Sequence, residues 1–199
     1  MLKTTSTGAA TQFIAAAARG VASGAGTISE EAILPGAGRL GALLAEEPEL
    51  VDAFLTLPQT ERDAELFAAL ESAVRAALSH HPEYADLRHY AACVQSRLGR
   101  LERAVEFERA ALAINPGYVA ARVQLGRTLA GLNRLEEAIV EFEQAVAQGG
   151  DYADVYFELG ELHRQAGHTS EARQAYERAL RLNQSFDRAQ RALQSMAAA

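Results

Sequence analysis

Two residues in this sequence have side chains and a spacing that could support chemistry, His89 and Cys93. They lie four positions apart, which brings two side chains together on one face of a helix. A cysteine beside a histidine could act as a nucleophile or as part of a metal site. No third ligand or orienting carboxylate follows at a recognisable spacing, since Asp86 is only a neighbour on the same predicted helix. We therefore expect no catalytic residues, no metal site and no cofactor.

The other histidines do not complete a catalytic motif either. His80 and His81 are typical of a helix end, and His163 and His168 have no recognisable partner motif. The sequence also lacks a phosphate-binding loop, a Ser-His-Asp order, a CxxC pair and a glycine-rich dinucleotide motif that follows a strand. These observations favour a protein that is not an enzyme.

The composition narrows the class of partner. The chain has 199 residues, and its 26 acidic against 19 basic residues give a formal net charge of −7. This balance disfavours general binding to nucleic acid or to an anionic membrane. No apolar run is long enough to span a membrane, and the short apolar stretch 13–18 is too weak for a signal peptide. We expect a cytoplasmic protein, although the sequence leaves a periplasmic or exported location open.

A period of 34 residues runs through the second half of the chain. The aromatic residues Tyr84, Tyr118, Tyr152 and Phe186 are each separated by this distance. Turn-forming residues and small residues repeat with the same spacing, at Gly99, Asn133 and Gly167, at Ala104, Ala138 and Ala172, and at Ala111, Ala145 and Ala179. Such a repeat predicts pairs of antiparallel helices that approach each other closely at the alanines.

The period divides the chain into two predicted parts. Residues 1–60 hold 7 of the 15 glycines and 3 of the 5 prolines, which predicts an irregular extension of short helices. Residues 61–199 are predicted to form one domain of regular helices. Its helix, three repeats and capping helix are expected at 61–80, 85–118, 119–152, 153–186 and 187–197.

The second and third repeats resemble the tetratricopeptide repeat (TPR), whose 34-residue unit carries a Leu-Gly pair, two spaced alanines and an aromatic between them. The matching residues are Leu125-Gly126, Ala138, Phe142 and Ala145, and then Leu159-Gly160, Ala172, Tyr176 and Ala179. The resemblance implies an all-α, right-handed superhelical solenoid whose first helices line a concave groove. It also implies that the groove binds a partner peptide, helix or domain and that the protein catalyses nothing.

By resemblance, groove-facing positions fall on the first helix of each repeat. They include His89, Cys93, Val123, Arg127, Phe157, Glu161 and Arg164. We expect Val123 and Phe157 to act as apolar anchors, and Arg127 and Arg164 to bind a carboxylate. The Lys/Asn/Arg carboxylate clamp with which one TPR subgroup grips acidic chaperone tails is absent, because His89 and Cys93 replace its first basic and amide residues.

Charge is distributed unevenly over the second repeat. Its first helix, 119–131, carries Arg122 and Arg127 without an acid, whereas its second helix, 135–148, carries four glutamates without a base. We expect a mildly basic inner strip beside an acidic outer ridge, which could orient a partner. Ordinary solubilising charge is the alternative interpretation.

The N-terminal extension has no repeat of its own. Its Ala-rich segment carries Phe13, Ile14 and Val21, with Phe13, Ala17 and Val21 at helical spacing, and is too weak to form an isolated helix. We expect it to be an assembly segment that docks on its own groove, on a second copy of the chain or on another protein, with a flexible tail as the alternative. The predicted function is a non-enzymatic scaffold or adaptor that binds a protein or peptide. A bacterial secretion-type chaperone and an accessory or regulatory subunit of an enzyme complex are the alternatives.

Overall fold

The computed structural model describes residues 63–197, and these form helices joined by short turns, with no strand among them. The helices are α1 (Asp63–His80), α2 (Ala85–Arg97), α3 (Leu101–Ile114), α4 (Val119–Gly131), α5 (Leu135–Ala147), α6 (Ala153–Ala166), α7 (Thr169–Leu182) and α8 (Asp187–Ala197). They confirm the prediction of an all-α fold. The expectations for residues 1–60, including Phe13, Ile14 and Val21, lie outside the described residues. Among the described helices, none has the length and hydrophobicity needed to cross a membrane.

The described residues fall into two units, with the boundary between Leu98 and Gly99. In the described part of the first unit, α1 packs against α2. Leu70 and Val74 of α1 and Leu87 of α2 are buried, as expected for the apolar faces of two amphipathic helices. Helix α1 ends at His80, because a residue before a proline is disfavoured in the helical region and Pro82 follows shortly after.

In the second unit, each helix from α3 to α8 packs against the next one along the chain. The repeated alanines are fully buried, as the 34-residue period predicts: Ala104, Ala111, Ala138, Ala145, Ala172 and Ala179. Their small side chains allow neighbouring helices to approach closely.

The glycine of each Leu-Gly pair is required by the close approach of an aromatic ring. A methyl group on Gly126 of α4 would place its carbon 2.5 Å from the ring of Phe142 on α5. One period later, a methyl group on Gly160 of α6 would lie 2.6 Å from the ring of Tyr176 on α7. The glycine and the aromatic therefore form a matched contact, in which the ring fills the space that a side chain on the first helix would occupy.

Tight turns join the two helices of each repeat. Asn133 and Gly167, which the period marks as turn residues, adopt left-handed backbone angles, with φ of 59° and 84°. After α6, the amide of His168 donates to the carbonyl of His163 at 2.8 Å and the amide of Gly167 donates to that of Arg164 at 3.2 Å. This is the Schellman pattern that terminates helices, and it confirms the predicted turn.

Candidate partner-binding face

The second unit brings five of the predicted groove residues onto two helices. Val123 and Arg127 lie on α4, whereas Phe157, Glu161 and Arg164 lie on α6. We use the term first-helix face for these residues together with Glu158, which the structure adds. The remaining predicted groove residues, His89 and Cys93, lie on α2 of the first unit.

His89 and Cys93 are neighbours, as their spacing predicts. The Sγ atom of Cys93 lies 3.9 Å from Nε2 of His89, and the cysteine is half-buried. The contact joins successive turns of one helix.

Arg127 and Glu158 connect α4 to α6 across the first-helix face. Nε of Arg127 donates to one carboxylate oxygen of Glu158 at 2.7 Å, and Nη2 donates to the other at 2.6 Å. Two parallel bonds of this kind fix the orientation of both side chains. Arg127 is therefore paired with a carboxylate of its own chain, and its binding of a partner's carboxylate stays a prediction.

Glu161 stands at the centre of a second polar group on this face. Its carboxylate accepts a hydrogen bond from Oη of Tyr176 at 2.5 Å and another from Nη2 of Arg164 at 2.8 Å. Burial alone would raise the pKa of Glu161, but the bonds from Arg164 and Tyr176 outweigh it and lower that pKa. Burial and the adjacent carboxylate raise the pKa of Tyr176. Glu161 is therefore held ionised and links α6 to α7.

Val123 and Phe157, which we expected to be apolar anchors for a partner, lie in the core. Their exposed fractions are 7% and 6%. The ring of Phe157 packs against Tyr176 and Phe186, and the guanidinium of Arg188 on α8 lies 4.3 Å from its centre. A cation placed over an aromatic ring in this way is attracted to it. The capping helix therefore covers the ring, and little of either side chain is open to a partner.

The predicted basic strip on α4 is not formed, because Arg122 points elsewhere. Its guanidinium donates to Glu141 at 3.0 Å, to Gln144 at 2.6 Å and to Gln148 at 2.9 Å. These acceptors lie on or directly after α5. Arg122 therefore contributes to the contact between α4 and α5, and Arg127 on the first-helix face is balanced by Glu158.

The structure also joins two residues for which the sequence indicated no partner. Nδ1 of His163 lies 3.4 Å from Nδ1 of His168, and His163 is buried. The turn explains the meeting, because a Schellman motif places the side chains three positions before and two positions after the end of the helix in contact. The signal in the sequence was the spacing of the two histidines around Gly167.

Comparisons with known proteins agree with this architecture. The tetratricopeptide repeat family model matches residues 123–185. A solved structure of MamA (41-end) from Desulfovibrio magneticus RS-1 is 18% identical, covers 80% of this chain and 83% of its own, and has a TM-score of 0.65. YrrB, described as a TPR protein with an unusual peptide-binding site, is 19% identical, covers 82% of this chain and 84% of its own, and has a TM-score of 0.60.

A third structure contains a bound peptide. The first TPR of Spaghetti (RPAP3), bound to the HSP90 peptide SRMEEVD, is 18% identical, covers 58% of this chain and 91% of its own, and has a TM-score of 0.55. At these identities the likeness establishes a shared fold. No functionally curated protein matches the sequence.

Proposed function

Because this chain carries tetratricopeptide repeats, we propose that it is a non-enzymatic scaffold that binds a peptide or helix of a partner protein on the first-helix face. The proposal rests mainly on Arg127 and Arg164, whose side chains are 44% and 50% exposed while carboxylates hold each of them in one orientation. Side chains that are ordered before binding lose less entropy when a partner docks. The peptide-binding description of YrrB and the bound peptide of the RPAP3 domain support this use of the fold.

The charge of the face favours a partner segment of mixed or neutral polar character. Arg127 is neutralised by Glu158 and Arg164 by Glu161, so the face presents donors and carboxylates side by side. A purely acidic segment would have to approach both carboxylates, and like charges brought together at an interface are costly. The acidic peptide SRMEEVD, which the RPAP3 domain binds, is therefore expected to bind this chain poorly.

The N-terminal 60 residues supply the second part of the proposal, an assembly segment. This part rests on the composition of that segment, which carries the apolar residues Phe13, Ile14 and Val21 and is rich in alanine and glycine. A segment too weak to fold alone gains stability by docking on another surface.

A photo-crosslinking residue placed at one of two glutamines tests the binding face. Gln165 directly follows Arg164 on α6, and Gln174 lies on the second helix of the same repeat; both are exposed. We expect the probe at position 165 to crosslink a partner protein and the probe at position 174 to give a much lower yield. Equal yields at the two positions, or no crosslink at position 165, would contradict the proposal.

A further inference from the structure

The turn after α6 places two imidazoles in a fixed relation. The backbone bond from the amide of His168 to the carbonyl of His163 holds the two residues together, and Gly167 supplies the left-handed angle that the turn requires. In the preceding repeat the same two positions are Leu129 and Arg134. The pair of histidines is therefore not a requirement of the turn itself.

The separation of the two nitrogens is long for a direct hydrogen bond and fits a shared metal ion. Nδ1 of His163 and Nδ1 of His168 are 3.4 Å apart. Hydrogen bonds from N–H to oxygen are usually about 2.7–3.2 Å long, so this contact is long for a hydrogen bond. Two nitrogens that bind one tetrahedral zinc ion at about 2.0–2.1 Å are separated by about 3.3–3.4 Å.

A carboxylate lies on the side of the second nitrogen of His168. Its Nε2 lies 3.8 Å from a carboxylate oxygen of Glu136 on α5. A carboxylate on that side favours the tautomer with the proton on Nε2, which leaves the lone pair of Nδ1 directed towards His163. Metal-binding histidines commonly have such a carboxylate on the opposite ring nitrogen.

The local field also favours a cation. Glu136 and Glu143 of α5 and Glu171 of α7 all interact electrostatically with His163. A divalent ion between the rings would be attracted by the same three carboxylates.

We propose that His163 and His168 bind one zinc ion through their Nδ1 atoms, with water completing the coordination. The ion would join the end of α6 to the start of α7 and thereby stabilise the hairpin of the third repeat. The site is separate from the first-helix face, so this proposal does not depend on the proposed function.

Calorimetric titration of zinc chloride into the metal-free full-length chain at pH 7.5 tests the proposal. The starting protein carries His89→Ala and Cys93→Ser, because this adjacent histidine and cysteine on α2 could bind zinc themselves. We expect it to bind one zinc ion at the histidine pair, and His168→Arg to lower the affinity at least about tenfold. The arginine is the residue found at this position in the preceding repeat, so the turn is expected to tolerate it. Equal affinity with and without His168 would overturn the proposal.

A second measurement does not depend on that variant folding. In nuclear magnetic resonance spectra of the same starting protein, zinc should shift the imidazole signals of His163 and His168 and leave those of His80 and His81 in place. Glu136→Gln, which keeps both ligands, should weaken binding by about tenfold. Shifts confined to His80 and His81, or no shift of any histidine, would show that the pair does not bind zinc.

Discussion

At the scale of single residues, polar side chains of the third repeat are satisfied by groups of their own chain. Glu161 accepts bonds from Tyr176 and Arg164, and Arg127 holds both oxygens of Glu158. A carboxylate removed from water is costly unless such bonds replace its hydration. The first-helix face is therefore an ordered polar surface. Because His163 is buried, protonating its ring is also costly, so the stability of the protein depends on pH.

Acid is expected to weaken the metal-free protein through His163. Burial, aided by His168 and opposed by Glu136, Glu143 and Glu171, lowers the pKa of His163 below its ordinary value of 6.5. The unfolded chain therefore binds the proton more readily, so the free energy of unfolding falls as the pH drops below 6.5. Urea unfolding at pH 7.5 and 5.5, with a chelator present, should show this loss, and it should be smaller in His163→Leu.

The carboxyl of Glu161 affects stability at lower pH than His163 does. Its pKa is lowered from 4.5, so the stability it adds is present above 4.5 and is lost as the pH falls through its folded value. The interval between pH 5.5 and 7.5 thus isolates the histidine effect. An identical loss of stability in the parent protein and in His163→Leu would contradict the assignment.

At the scale of helices, the contact between glycine and aromatic sets the distance between the two helices of a repeat. The ring of Tyr176 occupies the space beside Gly160, and the ring of Phe142 does the same beside Gly126. Both rings are almost fully buried, so they have little freedom to move aside. A side chain at either glycine must therefore push the helices apart or displace the ring.

We expect Gly160→Ala to destabilise the protein by about 1–3 kcal/mol, the usual cost of forcing an extra carbon into a packed core. Gly117→Ala is the matched control, because its added carbon would lie 3.7 Å from the nearest atom, an ordinary contact. The measurement is the urea unfolding midpoint of both variants. If the Gly160 variant were as stable as the Gly117 variant, the close approach of α6 and α7 would not be a structural requirement.

The sequence predicted the helices well and the side-chain pairs poorly. Because one 34-residue period recurs, it located the repeats, the buried alanines and the turns at Asn133 and Gly167. It did not predict that Arg188 would cover Phe157, since that contact depends on how a long side chain of the capping helix lies. The pairing of Arg127 with Glu158 was missed for the same reason, because 31 residues separate them and other acceptors were available.

At the scale of the whole molecule, the two predicted parts of the chain have different proposed tasks. The repeats provide a surface, and residues 1–60 are proposed to provide assembly. The net charge of −7 suits a protein that stays in solution and selects partners through local contacts rather than through a uniform field.

Deletion of residues 1–60 tests the assembly part. If these residues associate with a second copy, the number of chains per particle, obtained from light scattering, should fall on deletion, while circular dichroism retains the helical signal. The full-length chain measured at the same concentration is the control. An unchanged number of chains per particle would contradict self-association and leave docking on the same chain or on another protein.

The central claim, partner binding on the first-helix face, is tested most directly by comparing two double arginine variants. Arg127→Ser with Arg164→Ser removes both cations of that face. Arg109→Ser with Arg178→Ser removes two arginines that also form ion pairs, with Glu137 and Asp151, but lie on second helices. Each variant loses the same charge, and exposed ion pairs of this kind are worth only about 0–1 kcal/mol of stability.

The measurement is a calorimetric titration of the partner protein that crosslinking at position 165 identifies. It gives the dissociation constant for the full-length chain and for each variant. The account predicts that the Arg127/Arg164 variant binds at least about tenfold more weakly, a loss of about 1.4 kcal/mol, while the Arg109/Arg178 variant binds as the parent does. Equal affinities for the two variants, or a loss only in the Arg109/Arg178 variant, would contradict it.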